Sequence, residues 1–575
     1  MTMWGVLALW LAPMAQAETE APVPSVYGDA APFLDAIARE RREARAAFPV
    51  TGITVPHHLL AADLMARGFW AASGNRYDRV ILLSPDHFNR SQKPFATTAR
   101  DHETVLGRIP ADRQAVAALL ATPDLVEASD LFEREHGVAA LLPFVKRFFP
   151  DATLVPVAIS IRAEPADWDR AVALLAPLLG PRTLVVQSTD YSHYRPQAES
   201  ILRDQESLNV IASEDADAVT RLVSSDHMDS RGAQYIQMRL QERQGSRATV
   251  IANRNSLEYI PHASRTTSYV VSVYSPEIAA FPERYTDQDV LVFGGDVLLG
   301  RYLTKPLAEP EVAAEIVRRI RALTGGAPMV VNLEGALLAE PPEGLPDNLH
   351  AMPAGLALPI LTALNVKAAS LANNHSFDLG RDGYRESIDI LRRAGIVPLT
   401  HGAVADLGPV RLVALNFVGR NDRSGFPAVR SGELEALCRA PARPPFWAFV
   451  HWGTEYAEAL GPQERDAAAV LARCGIGGIV GAHSHRAAAR IEAPIGGGYA
   501  LAPSLGNLLF DQTATRGTGA LLEMRVFRQG TVATRLLPLP NLFDEANALL
   551  RARQEAVPDL TPTATRLRSG SAGSR

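Results

Sequence analysis

Cysteine is nearly absent: the 575 residues contain two, Cys438 and Cys474. That excludes a disulfide-stapled scaffold, although the two thiols can still pair in an oxidising compartment. An excess of one charge is lacking too. Lys and Arg total 57 against 63 Asp and Glu, a net charge of −6, so neither nucleic acid nor an anionic membrane surface is an expected partner. Beyond the first 17 residues no apolar run is long enough to span a bilayer. Internal repeats are missing as well.

What is present is ordinary globular composition, 47% apolar and 21% charged, in a chain too long for one core. Residues 4–17, WGVLALWLAPMAQA, form an apolar run closing on Ala15-Gln16-Ala17, the small-x-small pattern of a signal-peptide cleavage site. No basic segment precedes it and Pro13 interrupts it, so a short membrane anchor or a misassigned start codon are the alternatives. The expectation is an exported protein, periplasmic or extracellular, with residues 1–17 removed and no transmembrane segment left.

Two stretches then alternate strands with helices, which predicts two α/β domains, at 28–276 and 287–540. The Pro- and Glu-rich residues 18–27 read as a linker. The segment SPEIAAFPERYTDQ, residues 275–288, reads as the boundary. Residues 541–575 read as a tail with a disordered end.

In the second domain, five predicted strands run into residues that bind metal. VLVFGG leads to Asp296, and MVVNL to Glu334 with Asn332 just before. VKAASL leads to Asn374 and His375, with Asn373 and Asp378 as scaffolding. WAFV leads to His451, and GGIVGA to His483-Ser484-His485, whose rings would share one face of a strand. Carboxylates, an amide and imidazoles are an N/O donor set for Mn, Fe or Zn. Each motif alone is weak: Gly295-Asp296 could be a turn, and His451 a packing residue. Five strand ends in order favour a metal site.

The stretches GGDVLLG, NLEGAL, SLANNHSFDLG, HWGTEY, GAHSH and APSLGNLLFD, over about residues 290–511, resemble the CapA family of poly-γ-glutamate capsule-synthesis proteins. That resemblance implies a calcineurin-like metallophosphatase sandwich holding one or two divalent ions. It places Asp296, Glu334, Asn374, His451, His483 and His485 as ligands, with Glu334 bridging. His375 would polarise the leaving group or transition-state oxygen, and Asn507 would line the site. Leu298 stands where general metallophosphatases have the His of an Asp-x-His pair, and Glu334 where they have Asp.

In the first domain the polar clusters are His57-His58, Asp86-His87, Glu135-His136 and Asp190 to His193. His57, His87 and His193 with Asp190 and Glu135 could form a mononuclear site, or the acids could be buried pairs that shape a pocket. VPHH, LLSPDHF, TVLGRIPAD, FEREHGVAALLPF, QSTDYSHY and TTSYVVSVYS, over about residues 50–275, resemble the Memo family. The resemblance implies a fold similar to class III extradiol dioxygenases, with His57, His87, Asp190 and His193 at site positions. The family's usual Cys before a Gly is replaced by Arg231 before Gly232. A cation there opposes a metal and could bind a substrate anion.

The expected function is an exported metal-dependent hydrolase or transferase, acting on a small-molecule or polymer substrate of the cell envelope. Phosphoester and glutamyl-type bonds are the candidates. A non-catalytic binding or scaffold protein is the first alternative. An iron-dependent redox enzyme using the first domain is the second.

Overall fold

The Val-, Ile- and Leu-rich runs become the inner strands of three sheets in a computed structural model of the chain. The structure describes residues 20–41, 48–277, 286–419, 428–429, 432–437, 445–494 and 498–556. The expected signal segment, Cys438 and the end of the expected tail lie outside these residues. Among the described residues no helix is long and apolar enough to cross a membrane. The chain divides into two compact units, one up to Glu277 with Pro282–Asp287 and Phe527–Gln529, the other holding Gln288–Val526 and Gly530 onward.

The first unit is built on a nine-stranded sheet. Thr153–Ile159, Arg79–Pro85, Thr183–Ser188 and Gly52–Val55 lie side by side and parallel, and Thr266–Ser275 continues the sheet antiparallel. The parallel strands are almost wholly buried, which is why they read as continuous apolar runs rather than alternations. Three of these neighbours, Arg79–Pro85, Thr183–Ser188 and Gly52–Val55, run directly into His87, Asp190 and His57. Polar groups at adjacent carboxyl ends of parallel strands converge, as ligand sites in open α/β sheets do.

The second unit stacks two sheets. The larger, seven-stranded one orders Val397–Leu399, Val366–Ser370, Met329–Leu333, Gln288–Val297, Gly519–Phe527 and Val532–Leu539, with Asn507–Leu509 pairing Gln288–Val297. The smaller one orders Val404–Asp406, Arg411–Asn416, Phe446–His451, Gly478–Ala482 and Ala500–Ala502. Phe293 and Phe449 meet edge to face across them at 5.6 Å. Each sheet therefore brings its own set of strand ends to the site.

Two expectations are corrected. Residues 20–27 are not a free linker: Val23 is buried, its N–H donates to Asp101 O at 2.7 Å, and its carbonyl accepts from Glu103 N at 2.9 Å. The expected tail begins as a helix, Leu542–Ala556. Leu542, Ala546 and Leu550 recur every four residues and give it one buried face, which joins the core of the larger sheet.

Glu523 lies buried in that sheet between Arg525 and Arg535, with contacts of 2.8 and 2.9 Å. Burial alone would raise its carboxyl pKa, but the two guanidinium groups outweigh it and lower it from 4.5 to about 2. A depressed carboxylate stabilises the fold above its unfolded pKa, so this contribution is present above about pH 4.5 and lost as pH falls through about 2. Glu523→Gln, which removes the negative charge between two buried guanidinium groups, is expected to cost about 3–5 kcal/mol in urea denaturation at pH 7. It should also flatten the acid limb of the stability curve.

Candidate functional site

The second unit gathers its strand ends around one carboxylate. Asp296 lies in Gln288–Val297, Glu334 follows Met329–Leu333, and Asn374 and His375 follow Val366–Ser370, so the larger sheet supplies four polar groups. His451 ends Phe446–His451, and His483 and His485 follow Gly478–Ala482, so the smaller sheet supplies three imidazoles. Three groups of possible ligand atoms, each within 4.8 Å of one another, share Glu334: with His451 and His483, with Asp296 and His485, and with His350 and His375.

Direct contacts fix these side chains. His451 Nε2 donates to Asn374 Oδ1 at 2.8 Å, while its Nδ1 accepts from Asn332 Nδ2 at 3.1 Å. The same Asn332 amide donates to Asp296 Oδ1 at 2.8 Å. His485 Nδ1 donates to Asn507 Oδ1 at 2.8 Å and lies 3.3 Å from Asp296 Oδ2. Asp378 Oδ2 accepts from His375 Nδ1 at 2.7 Å, leaving Nε2 of that ring 4.0 Å from Glu334. Asn373 stays behind this layer, donating to Asn332 Oδ1 and Leu333 O.

The expectation that His483 and His485 project from one strand is corrected. The strand ends at Ala482, and the two residues adopt φ of 96° and 56°. Positive φ at a non-glycine residue costs about 1–3 kcal/mol and clusters at functional sites. Here it turns the His483 N–H onto the Asp296 carboxylate at 3.2 Å while both rings enter the site.

Electrostatics mark the site as ready for a cation. Glu334 is 1% exposed, and burial, then repulsion from Asp296, raises its pKa well above the usual range. Its Oε2 and the His483 Nδ1 are buried with no partner. Burial and neighbouring imidazoles hold His451 well below its ordinary value, His483 down to about 4 and His350 down to about 2. Burial also opposes charge on His485, but Glu334 and Asp296 raise it to about 9. Imidazoles held neutral and an unpartnered carboxyl oxygen suit a divalent ion, whose binding would displace the protons of Glu334 and His485, so the donor set fits one.

The first unit arranges similar residues with opposite polarity. His57 and His87 pack edge to face at 4.7 Å, and His136 lies 4.0 Å from the His87 ring. These three offer ligand atoms within 4.8 Å of one another. Glu135 Oε1 accepts from His87 Nδ1 at 2.6 Å, and Asp229 Oδ2 lies 3.2 Å from His57 Nε2 and 3.8 Å from His87 Nε2. Burial opposes charge on both rings. Hydrogen bonds and charge from Asp229 and Glu135 nevertheless raise His87 to about 10, and Asp190 and Asp229 raise His57. Protonated, these two rings repel a metal ion.

Asp190 holds the His57 backbone N–H at 3.1 Å and lies 3.7 Å from its Nε2. His193 stands outside the three-histidine group. It lines a cavity of about 190 Å³ together with His87, Asp229, Trp168 and Arg231.

His350 and Asp229 are the residues that motif reading missed. His350 belongs to no strand-end motif, yet its ring stacks on His375 at 3.6 Å and its backbone N–H donates to Asp378 Oδ2 at 2.7 Å. Asp229 precedes Ser230-Arg231-Gly232, and the backbone pairing of Asp229 with Asp190 brings it to the histidines. Its carboxylate beside the cationic segment was the available signal.

Comparisons with known proteins agree with this division. A family model described as Memo-like protein matches residues 28–274, and one described as bacterial capsule synthesis protein PGA_cap matches residues 290–431. The second match contains Asp296, Glu334, Asn374 and His375 and ends before His451. Among curated proteins, a MEMO1 family protein of Thermotoga sp. (strain RQ2) is 25% identical over 169 residues, 28% of this chain and 61% of that protein. One of Thermotoga neapolitana is 27% identical over 170 residues, 29% of this chain and 61% of that protein. The chain thus spans about three-fifths of the length of these relatives. A solved structure described as a novel phosphatase of Mycoplasma pneumoniae is 12% identical, with a TM-score of 0.29 over 45% of this chain and 98% of that one, too slight a likeness to argue from.

The Asn332 amide ties Asp296 to His451 across the two sheets. Asn332→Leu keeps the volume and removes both bonds. It is expected to weaken Mn(II) binding by about 10- to 100-fold in calorimetric titration, with the far-ultraviolet dichroism unchanged.

Proposed function

From a chain that joins a Memo-like domain to a PGA_cap domain, we propose an exported, metal-dependent hydrolase or transferase of the cell envelope. Its C-terminal unit acts on a phosphoester or a glutamyl-type polymer. The observation that carries this reading is Glu334, a buried carboxylate with an unpartnered oxygen at the junction of three possible ligand groups. Export is supported by the apolar run of residues 4–17.

Asp296, Glu334 and Asn374 would hold Mn, Fe or Zn through oxygen, and His451, His483 and His485 through nitrogen. A divalent ion there supplies an acidic water and stabilises negative charge that develops on the reacting centre. The chain's own contribution is order. Asp378 fixes the tautomer of His375 and directs its Nε2 toward the Glu334 side of the site. A proton on that nitrogen can be given to a leaving oxygen, with Asp378 stabilising the ring while it is charged. His350 covers the His375 face and keeps water from it.

The N-terminal unit is read as a ligand-binding pocket. Asp229 and Glu135 favour the protonated forms of His57 and His87, which favours binding over metal-dependent redox chemistry.

The test is elemental analysis with turnover of an aryl phosphate and a γ-glutamyl peptide by the full chain. Glu334→Gln and the double change His451→Ala, His483→Ala should each remove the bound metal and lower turnover at least 1,000-fold, about 4 kcal/mol in barrier. A metal-free wild-type chain, or full turnover by these variants, would refute the reading.

A further inference from the structure

Arg231 brings an unpaired charge to the N-terminal cavity. It opens the helix Arg231–Arg243, directly after the capping residue Ser230. Its Nε donates to Ser224 Oγ at 3.2 Å, and its Nη1 to Leu222 O at 2.9 Å and Thr220 O at 3.3 Å. All three acceptors are neutral. Among the described residues no carboxylate pairs with this guanidinium, and its Nη2 makes no hydrogen bond. The Trp168 ring lies 5.7 Å from its centre and completes a fixed seat. A guanidinium oriented by neutral groups, with one edge open, is suited to a planar anion.

The rest of the cavity narrows the choice. Asp86 and Asp229 share the lining with Arg231. Asp229 Oδ2 is matched by His57 and His87, whereas among the described residues Asp86 Oδ2 accepts from the Ser91 N–H with no cation paired to it; each carboxylate keeps its Oδ1 unpartnered. A nearby uncompensated carboxylate repels a dianion more than a monoanion. The mouth is apolar: Ile161 and Tyr194 line it while 61% and 68% exposed, and exposed Phe88 and Val223 adjoin it in sequence. Apolar side chains left in water around a charged floor lose that exposure when an apolar body covers them. At about 190 Å³ the cavity is smaller than the roughly 300–1,000 Å³ of pockets for larger ligands.

Resting on the reading of this unit as a ligand pocket, we propose that the cavity binds a small organic monocarboxylate with an apolar body about one ring in size. The carboxylate meets Arg231, and the body lies against Ile161 and Tyr194. Ser224 and Ser225, both on the lining, offer further hydroxyl donors.

The test is calorimetric titration of the full chain with benzoate, benzyl alcohol, acetate and phenyl phosphate. Benzoate should bind at least tenfold more tightly than the other three, which lack the charge, lack the body or carry a second charge. Arg231→Gln should weaken benzoate at least tenfold, and Arg231→Lys less. Ile161→Glu, at an exposed position where folding is not at risk, should weaken it several-fold. Glu334→Gln should leave it unchanged, so the result stands apart from the fate of the metal centre. Equal binding of benzoate by Arg231→Gln, phenyl phosphate as the tightest ligand, loss of binding in Glu334→Gln, or no benzoate binding at millimolar concentration would each overturn the proposal.

Discussion

A buried carboxyl group with one oxygen unpartnered is the constraint on which the C-terminal unit depends. Glu334 has five imidazoles and a second carboxylate around it, yet none gives its Oε2 a hydrogen bond. Burying such a group is costly unless something compensates it. The surroundings are organised to maintain that demand rather than relieve it. Asn332 spans Asp296 and His451, Asn507 orients His485, and Asp378 occupies the His375 nitrogen that could otherwise turn toward Glu334. The positive φ of His483 and His485 belongs to the same arrangement, with local strain held by the packed ends of two sheets. A divalent cation is the compensation that this geometry accommodates.

The two units apply one topological rule to opposite ends. Each places polar residues at the carboxyl ends of neighbouring parallel strands. In the C-terminal unit the imidazoles outnumber the acids and are mostly kept neutral, so lone pairs face inward. In the N-terminal unit Asp229 and Glu135 lie against His57 and His87 and hold protons on them. The first arrangement suits a metal, the second an organic ligand.

Much of this was legible in the sequence. The two-domain α/β organisation, with its Memo-like and CapA-like halves, follows from apolar runs such as Arg79–Pro85 and Met329–Leu333, whose burial on both faces gives them a period-free signature. The strand-end residues could be named because five successive strands each run into a possible ligand, although any one of them alone reads as a turn or a packing residue. What could not be read depends on tertiary contacts that no local pattern marks. His350 follows a loop and reaches His375 only because Ala351–Pro353 pairs with Ala336–Leu338. His136 replaces His193 beside His57 and His87 because Glu135 caps a short helix, while His193 is carried onto an edge strand. The helix at Leu542–Ala556 was hidden by the polar composition of the segment after it.

The most direct test of the central claim is an anomalous difference map from crystals of the full chain grown with Mn(II) or Zn(II). The account predicts a peak within coordination distance of Glu334, flanked by Asp296, His451 and His483, and absent from Glu334→Gln crystals grown the same way. A map without density at Glu334, or with metal bound only by His57 and His87, would contradict it.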